Sequence, residues 1–226
     1  MLITIDDVLS SEELANVRGL LADSGWVSGQ VTAGAQAALV KNNQQIPEDA
    51  PQLPELRRIV LGALQRNPLF FTAALPLKIL PPFFNRYAGS SNTYGLHTDN
   101  AMRLSGDGQY VRADVSATLF LSDPESYEGG ELVIQDAAGR REIKLKAGSV
   151  VVYPSSYLHE VTPVTRGERL GCFMFMQSMV RDVDQRRILF DMDMALLQLR
   201  QNFGEIPSVV SLTGVYHNLL REWAES

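Results

Sequence analysis

The spacing of apolar and polar positions along the chain changes period twice. Near the start, Leu14, Val17 and Leu21 recur at helical spacing and Ser10 with Glu13 forms an S-x-x-E capping box, so a helix begins after Ser10 and Gly25 ends it. A second helical stretch runs from Pro54 to about Gln65, after mixed segments that include the polar run "KNNQQI" at 41–46. The middle of the chain then takes the two-residue period of strands. The segments "PLKIL", "FFNRY", "DVSATLFLSD", "GELVIQD", "REIKLKAG", "SVVVYP" and "RLGCFMFMQ" are short, β-rich and separated by Gly, Pro, Asp or Ser. In "VSATLFL", alternation sends Val115, Ala117, Leu119 and Leu121 one way and Ser116, Thr118 and Phe120 the other. The glycines of "YEGGE" and "DAAGR" suit tight hairpins.

Beyond Arg181 the helical period returns, first in "DQRRILFDMDMALLQLRQNFG" and then in a stripe of Leu212, Val215, Tyr216, Leu219, Leu220 and Trp223. The expected fold is therefore α+β and mainly β: a two-sheet sandwich or barrel with N-terminal helices and two C-terminal helices that pack together or on a sheet. The last stripe suits core packing first and a homo-oligomer interface second.

Composition narrows the classes. The 226 residues, 45% of them hydrophobic, suffice for a real core. Twenty basic against twenty-six acidic residues give a net charge of -6, which offers no field for phosphate backbones or anionic lipid and argues against nucleic acid as a partner. The start "MLITIDDVLSSEE" has no basic region followed by an apolar run, and no stretch approaches a membrane span, so the expectation is a soluble, cytoplasmic protein. The single cysteine, Cys172, sits in "LGCFMFM" and reads as a small core residue.

The candidate chemistry starts at His97 and Asp99 in "YGLHTDNA". An H-x-D pair is weak by itself, but residues two apart on an extended segment share a side, with Thr98 pointing away. His159 follows the strand "SVVVYP". Two histidines and one carboxylate from neighbouring strands would occupy one face of an octahedral Fe(II), leaving three positions open. Zinc in a hydrolytic site uses similar ligands, and the ligands alone do not decide. Downstream, "TRGERL" feeds Arg169 into the next strand. Its guanidinium suits the far carboxylate of a dicarboxylic cosubstrate whose near end chelates iron; the plainer reading is a strand-end arginine paired with Glu131 or Glu168. Of the other titratable groups, Asp123 and Glu125 in "SDPE" read as a turn, and His217 reads as a surface residue beside Thr213 and Arg221. Glu160 stays open between supporting its neighbour His159 and facing solvent.

These residues resemble the Fe(II)- and 2-oxoglutarate-dependent dioxygenases of the prolyl 4-hydroxylase-like branch. "FNRYAG", "TYGLHTDNA", "SATLFLSDPESYEGGELVI", "YPSSYLHEVTPVTRGERL" and "QSMVRD" look like the bacterial PKHD-type hydroxylases, often associated with iron uptake. The resemblance spans nearly the whole chain. It implies a double-stranded β-helix, or jelly-roll, over residues 1–180 and a C-terminal helical extension over 181–226. It implies Fe(II) held by His97, Asp99 and His159, 2-oxoglutarate held by Arg169 with Tyr87 in support, and L-ascorbate as an accessory. Strand alternation puts Asn85 on the side of Tyr87 and Arg86 on the other. Tyr94 either touches substrate or packs.

The implied reaction hydroxylates a small-molecule or peptidyl substrate while 2-oxoglutarate becomes succinate and CO2. Substrate contacts are expected from "NAMRLSGDGQYVRAD" (100–114), as a lid or a plain strand connection, and from "KNNQQI", with Arg103 and Asn42 nominated. Two other readings compete. A cupin-like metalloenzyme would show His-x-His with a further Glu and His, which three histidines do not supply. A jelly-roll sensor would keep the site and turn nothing over.

Overall fold

A computed structural model describes residues 1–136 and 139–225. Two β-sheets face each other. The major sheet runs in the order Ile3–Ile5, Val150–Pro154, Val115–Phe120, Arg169–Ser178, Phe83–Tyr87, Gln44–Gln45, Val27–Ser28, with Pro76–Ile79 also paired to Arg169–Ser178. The minor sheet runs Gly139–Ile143, Leu132–Asp136, Leu158–Val161, Thr93–His97, Lys41–Asn42. This is the two-sheet sandwich with flanking helices that the pattern predicts, in the jelly-roll form that the resemblance implies. The "DAAGR" turn includes Ala137 and Ala138, which lie outside the described residues.

The central strand Val115–Phe120 is buried along its whole length. Its partners place Ala117 between Val152 and Met174, and Thr118 between Val151 and Phe173. The first set joins the main apolar cluster with Val115, Leu119 and Leu121, under the N-terminal helices; the second faces the minor sheet. Helix α1, Ser11–Ala22, starts at the capping box: Ser10 Oγ accepts from Glu13 N at 3.2 Å and Glu13 Oε2 from Ser10 N at 2.9 Å. It ends at Asp23, before Gly25. A short helix α2, Ala35–Val40, precedes α3, Leu53–Gln65, which buries Leu53, Leu56, Ile59, Val60, Ala63 and Leu64 in the same cluster as Val17 and Leu21. Cys172 lies in that cluster, where burial pushes its thiol pKa up.

Three features escape the periodicity. The strand Ile3–Ile5 is too short to show alternation, and it closes one edge of the major sheet by pairing Ile3 with Val152 and Ile5 with Val150. Helix α4, Pro68–Ala74, is set by Asn67, whose Oδ1 accepts from Phe70 N at 3.0 Å, and by Leu75 in the left-handed region. The polar run at 41–45 crosses between the sheets, because Lys41 pairs with Tyr94 of the minor sheet and Gln45 with Asn85 of the major one.

Helices α5, Val183–Phe203, and α6, Pro207–Trp223, form a hairpin around Gly204, and α5 also packs on α4. Leu75, Val180, Leu189, Leu196, Val209 and Tyr216 make their core. Buried Arg186 fixes the entry to α5 by donating from Nη1 to Val180 O at 2.7 Å and Arg181 O at 2.8 Å. The expected continuous stripe splits here. Tyr216, Leu219, Leu220 and Trp223 pack in the seam, whereas Leu212 and Val215, 42% and 46% exposed, fall on its flank. No helix among the described residues is long and apolar enough to cross a membrane.

The split stripe is testable by urea unfolding. Leu196→Ala, at 2% exposure, should lose about 2–5 kcal/mol. Leu212→Ser should stay within about 0.5 kcal/mol of wild type, and a larger loss would place Leu212 in a packed seam.

Candidate metal and cosubstrate site

Thr93–His97 and Leu158–Val161 are adjacent in the minor sheet, and their register sets His97 directly opposite His159. Each ring is fixed by a short return bond to its own chain: His97 Nδ1 to Gly95 O at 2.8 Å and His159 Nδ1 to Tyr157 O at 3.0 Å. A carbonyl only accepts, so both Nδ1 atoms donate, which leaves the two Nε2 atoms as the ones free to ligate. Burial first, and then neighbouring His159, push the His97 pKa down to about 3, which keeps that ring neutral and able to ligate.

Asp99 completes the group, with one ligand atom from each of the three residues lying within 4.8 Å of the others. The strand ends at His97, so Asp99 reaches the site from the following turn rather than by strict alternation. Its Oδ2 lies 3.7 Å from His159 Nε2 and accepts from Ser116 Oγ at 2.7 Å; Ser116 Oγ is itself 2.7 Å from Ser155 Oγ. Thr98, exposed, donates to Ser155 O at 3.3 Å and sits on the rim. Two imidazoles and a carboxylate, each oriented by a second bond, fit a divalent ion such as Fe(II).

Deeper in the same cavity lies Arg169, 1% exposed, with none of Nε, Nη1 and Nη2 bonded to protein. The guanidinium packs against the rings of Tyr87 at 5.0 Å and Phe120 at 5.1 Å. The plainer pairings are not made: Glu168 pairs with Arg86 at 2.6 Å, and Glu131 accepts from Thr162 Oγ1 at 2.5 Å. A buried cation with every donor free is costly unless an anion arrives, and its fork matches a carboxylate. Tyr87, paired across the strands with Arg169, is 1% exposed, and burial raises its pKa despite the nearby charge. Asn85 Nδ2 donates to Tyr87 Oη at 3.4 Å, which puts Asn85 on the inner side as alternation requires.

Glycines make room for this group. A Cβ on Gly130, whose φ is +68°, would meet Val164 Cγ2 at 2.8 Å and Arg169 Cδ at 3.1 Å. One on Gly171 would meet Asn85 Oδ1 at 2.9 Å.

The cavity spans about 670 Å3 counting its open mouth. Tyr94 both packs and lines it, stacking on His97 with centroids 3.6 Å apart. Arg103 also lines it, on a two-stranded ribbon of Met102–Leu104 and Tyr110–Arg112. Asn42 does not: it is exposed and donates to Ser90 O at 2.6 Å, because in a strand Asn42 and Lys41 face opposite ways. Lys41 is the inward residue, and the sequence reading passed over it along with Ser116 and Ser155. An inward-facing serine amid apolar strand neighbours was the available signal for Ser116; nothing marks Lys41 within a polar run.

Glu160 pairs with Arg140 at 3.1 Å and lies away from the cavity lining. Asp123 caps a turn and pairs with Arg18 at 2.9 Å, and His217 is exposed.

Two family models match the chain: the 2OG-Fe(II) oxygenase superfamily over residues 82–177 and the PKHD-type hydroxylase C-terminal domain over 184–225. PKHD-type hydroxylases of Nitrosomonas europaea and Azoarcus sp. are 71% and 72% identical, over the whole of this chain and of theirs. A prolyl hydroxylase from Trichoplax adhaerens, solved with a hypoxia-inducible-factor peptide fragment, shares the fold. Its TM-score is 0.56 at 16% identity, covering 83% of this chain and 86% of that one. With a two-histidine, one-carboxylate group sharing a cavity with a buried arginine, and relatives matched end to end, the chain belongs to the PKHD-type hydroxylases and is an oxygenase of the 2OG-Fe(II) superfamily.

Proposed function

We propose that His97, Asp99 and His159 hold Fe(II), that Arg169 holds the distal carboxylate of 2-oxoglutarate with Tyr87 beside it, and that the protein hydroxylates an organic substrate. The observation that carries this reading is the buried Arg169 guanidinium with three nitrogens unbonded. Arg169 shares the cavity of the candidate ligands, where it suits an anionic cosubstrate, and a cupin-like site would need more histidines than the three present. A sensor that turns nothing over is disfavoured by membership of a hydroxylase family.

When bound together, Fe(II) and 2-oxoglutarate supply the oxidising chemistry: O2 is consumed, the cosubstrate leaves as succinate and CO2, and one oxygen atom enters a substrate C–H bond. The chain's own side chains position and shield. The two Nδ1 bonds hold the imidazoles in one tautomer, and Ser116 holds Asp99. Arg169 orients the cosubstrate from its far end. Tyr94, Leu132, Val161 and Met174 give the cavity apolar walls that limit water. No spare acid or histidine lines the cavity beyond the three candidate ligands, which agrees with chemistry that requires no side-chain general base.

We assign L-ascorbate the accessory role of keeping iron reduced, and carry over the link to iron uptake from the family resemblance. Residues 1–180 form the oxygenase unit in this reading and 181–226 its helical extension. The Trichoplax enzyme was solved with a peptide, which makes a peptidyl substrate one class to test beside small molecules.

Under anaerobic conditions, Fe(II) with 2-oxoglutarate should give the weak visible charge-transfer band of a chelated 2-oxo acid in wild type and not in His97→Ala. Iron bound without a band would sink the cosubstrate assignment. Arg169→Gln should keep iron and raise the 2-oxoglutarate Kd about 30- to 5000-fold, the 2–5 kcal/mol of a lost buried charge partner. Ser116→Ala should keep the fold and weaken iron binding about 10- to 100-fold, read by competition with a chelator.

A further inference from the structure

Two cations in the cavity have no part in the chemistry described above. Lys41 is 3% exposed and donates from Nζ to Thr32 Oγ1 at 3.0 Å and Gln45 Oε1 at 3.3 Å. Arg103 donates from Nη2 to Thr32 O at 3.3 Å and lays its guanidinium over Phe175 at 4.0 Å. Both charges thus hang on one residue, Thr32. Among the described residues, neither has a carboxylate within ion-pair distance.

We infer that Lys41 and Arg103 form a subsite for an anionic group of the substrate, a carboxylate or a phosphate, at the mouth of the cavity. The inference rests on the proposed function and names the substrate class for the same site. Asp99 is the only acid among the lining residues, against Lys41, Arg103 and Arg169. A divalent ion and a dianionic cosubstrate cancel each other, and Asp99 cancels Arg169. Arg103 remains, together with Lys41 once an anion holds its proton in place, and these are the two groups on Thr32.

General basicity does not explain the surplus, because the chain as a whole carries -6. Lys41 also bears a penalty that an anion would remove: burial, and then Arg103, push its pKa down to about 7. Ala37, Phe173 and Phe175 line the same region and suit the carbon skeleton of such a substrate. The competing explanation is that Lys41 only staples Thr32 to Gln45, in which case anions would not distinguish the variants.

The test uses the whole protein loaded anaerobically with Fe(II) and saturating 2-oxoglutarate, titrated calorimetrically with butyrate, inorganic phosphate and, as neutral control, butyramide. At least one of the two anions should bind about tenfold or more tightly than butyramide, and Lys41→Met and Arg103→Gln should each weaken that anion about tenfold or more. The preferred anion separates the carboxylate from the phosphate source. Both variants should keep the charge-transfer band and a 2-oxoglutarate Kd within about twofold of wild type, which also shows that they are folded.

Anions binding no better than butyramide, or equally well to wild type and to a folded variant, would overturn the subsite. So would a loss of 2-oxoglutarate affinity in both variants as large as in Arg169→Gln, since the two cations would then serve the cosubstrate. If one variant fails to fold, the other decides. Failure of the underlying function would appear separately, as a missing band in wild type before any anion is added.

Discussion

The constraint on which this molecule depends is the two-sidedness of its central strand. Every residue from Val115 to Phe120 is buried, so the strand has no solvent face on which to place a mismatch. One side must satisfy α1, α3 and α4 with Val115, Ala117 and Leu119, joined across the register by Val152, Cys172 and Met174. The other side must tolerate polar groups, and it does so only where each has a partner. Ser116 bonds both Asp99 and Ser155, while Phe120 packs against the Arg169 guanidinium. A one-residue slip would put Ala117 opposite Asp99 and drive Ser116 into the helices, so the register that builds the core also builds the site.

Electrostatics inside the cavity run against stability. Arg169 has no bonded partner in the protein alone, and Lys41 is held only by neutral oxygens. Burial of a cation without an anionic partner is unfavourable, which shows in the lowered pKa of Lys41, and the large apolar cluster under the helices offsets it. The His97 ring escapes this conflict, since burial favours the neutral form that ligation requires, while the return bonds to Gly95 O and Tyr157 O fix how the two rings face. The cavity is preorganised for negative ligands, within a chain whose overall charge is also negative.

How much of this was legible depended on element length. Strands of five residues or more, such as Phe83–Tyr87 and Arg169–Ser178, carry enough alternation to be read, and α1 announces itself through Ser10 and Glu13. His97, Asp99, His159 and Arg169 stood out because their residue types and their positions at strand ends combine into one chemistry. Lys41–Asn42 and Gln44–Gln45 are two-residue strands made of polar side chains, and nothing local separates an inward lysine from a solvated one. Asn42, nominated for the cavity, is one residue away from Lys41, which lines it. The Leu212 to Trp223 stripe failed differently: helical period identifies an apolar sector, but how much of it is covered depends on where α5 sits.

That division in legibility follows a division in the architecture. His97 and His159 face each other on paired strands of the minor sheet, and Arg169 pairs with Tyr87 on a ten-residue strand of the major sheet. Lys41 and Arg103 ride on a two-residue strand and a two-stranded ribbon, and they meet only at Thr32. Groups that must hold a reacting geometry belong on rigid elements, while groups that choose a substrate can sit on short attachments whose sequence changes without disturbing the ladder. The run at 41–45 stitches the two sheets together at the mouth through Tyr94 and Asn85, so a ligand drawn to Lys41 would bear on both walls of the cavity at once. Substrate recognition at that point would then tighten the cavity around the proposed iron site.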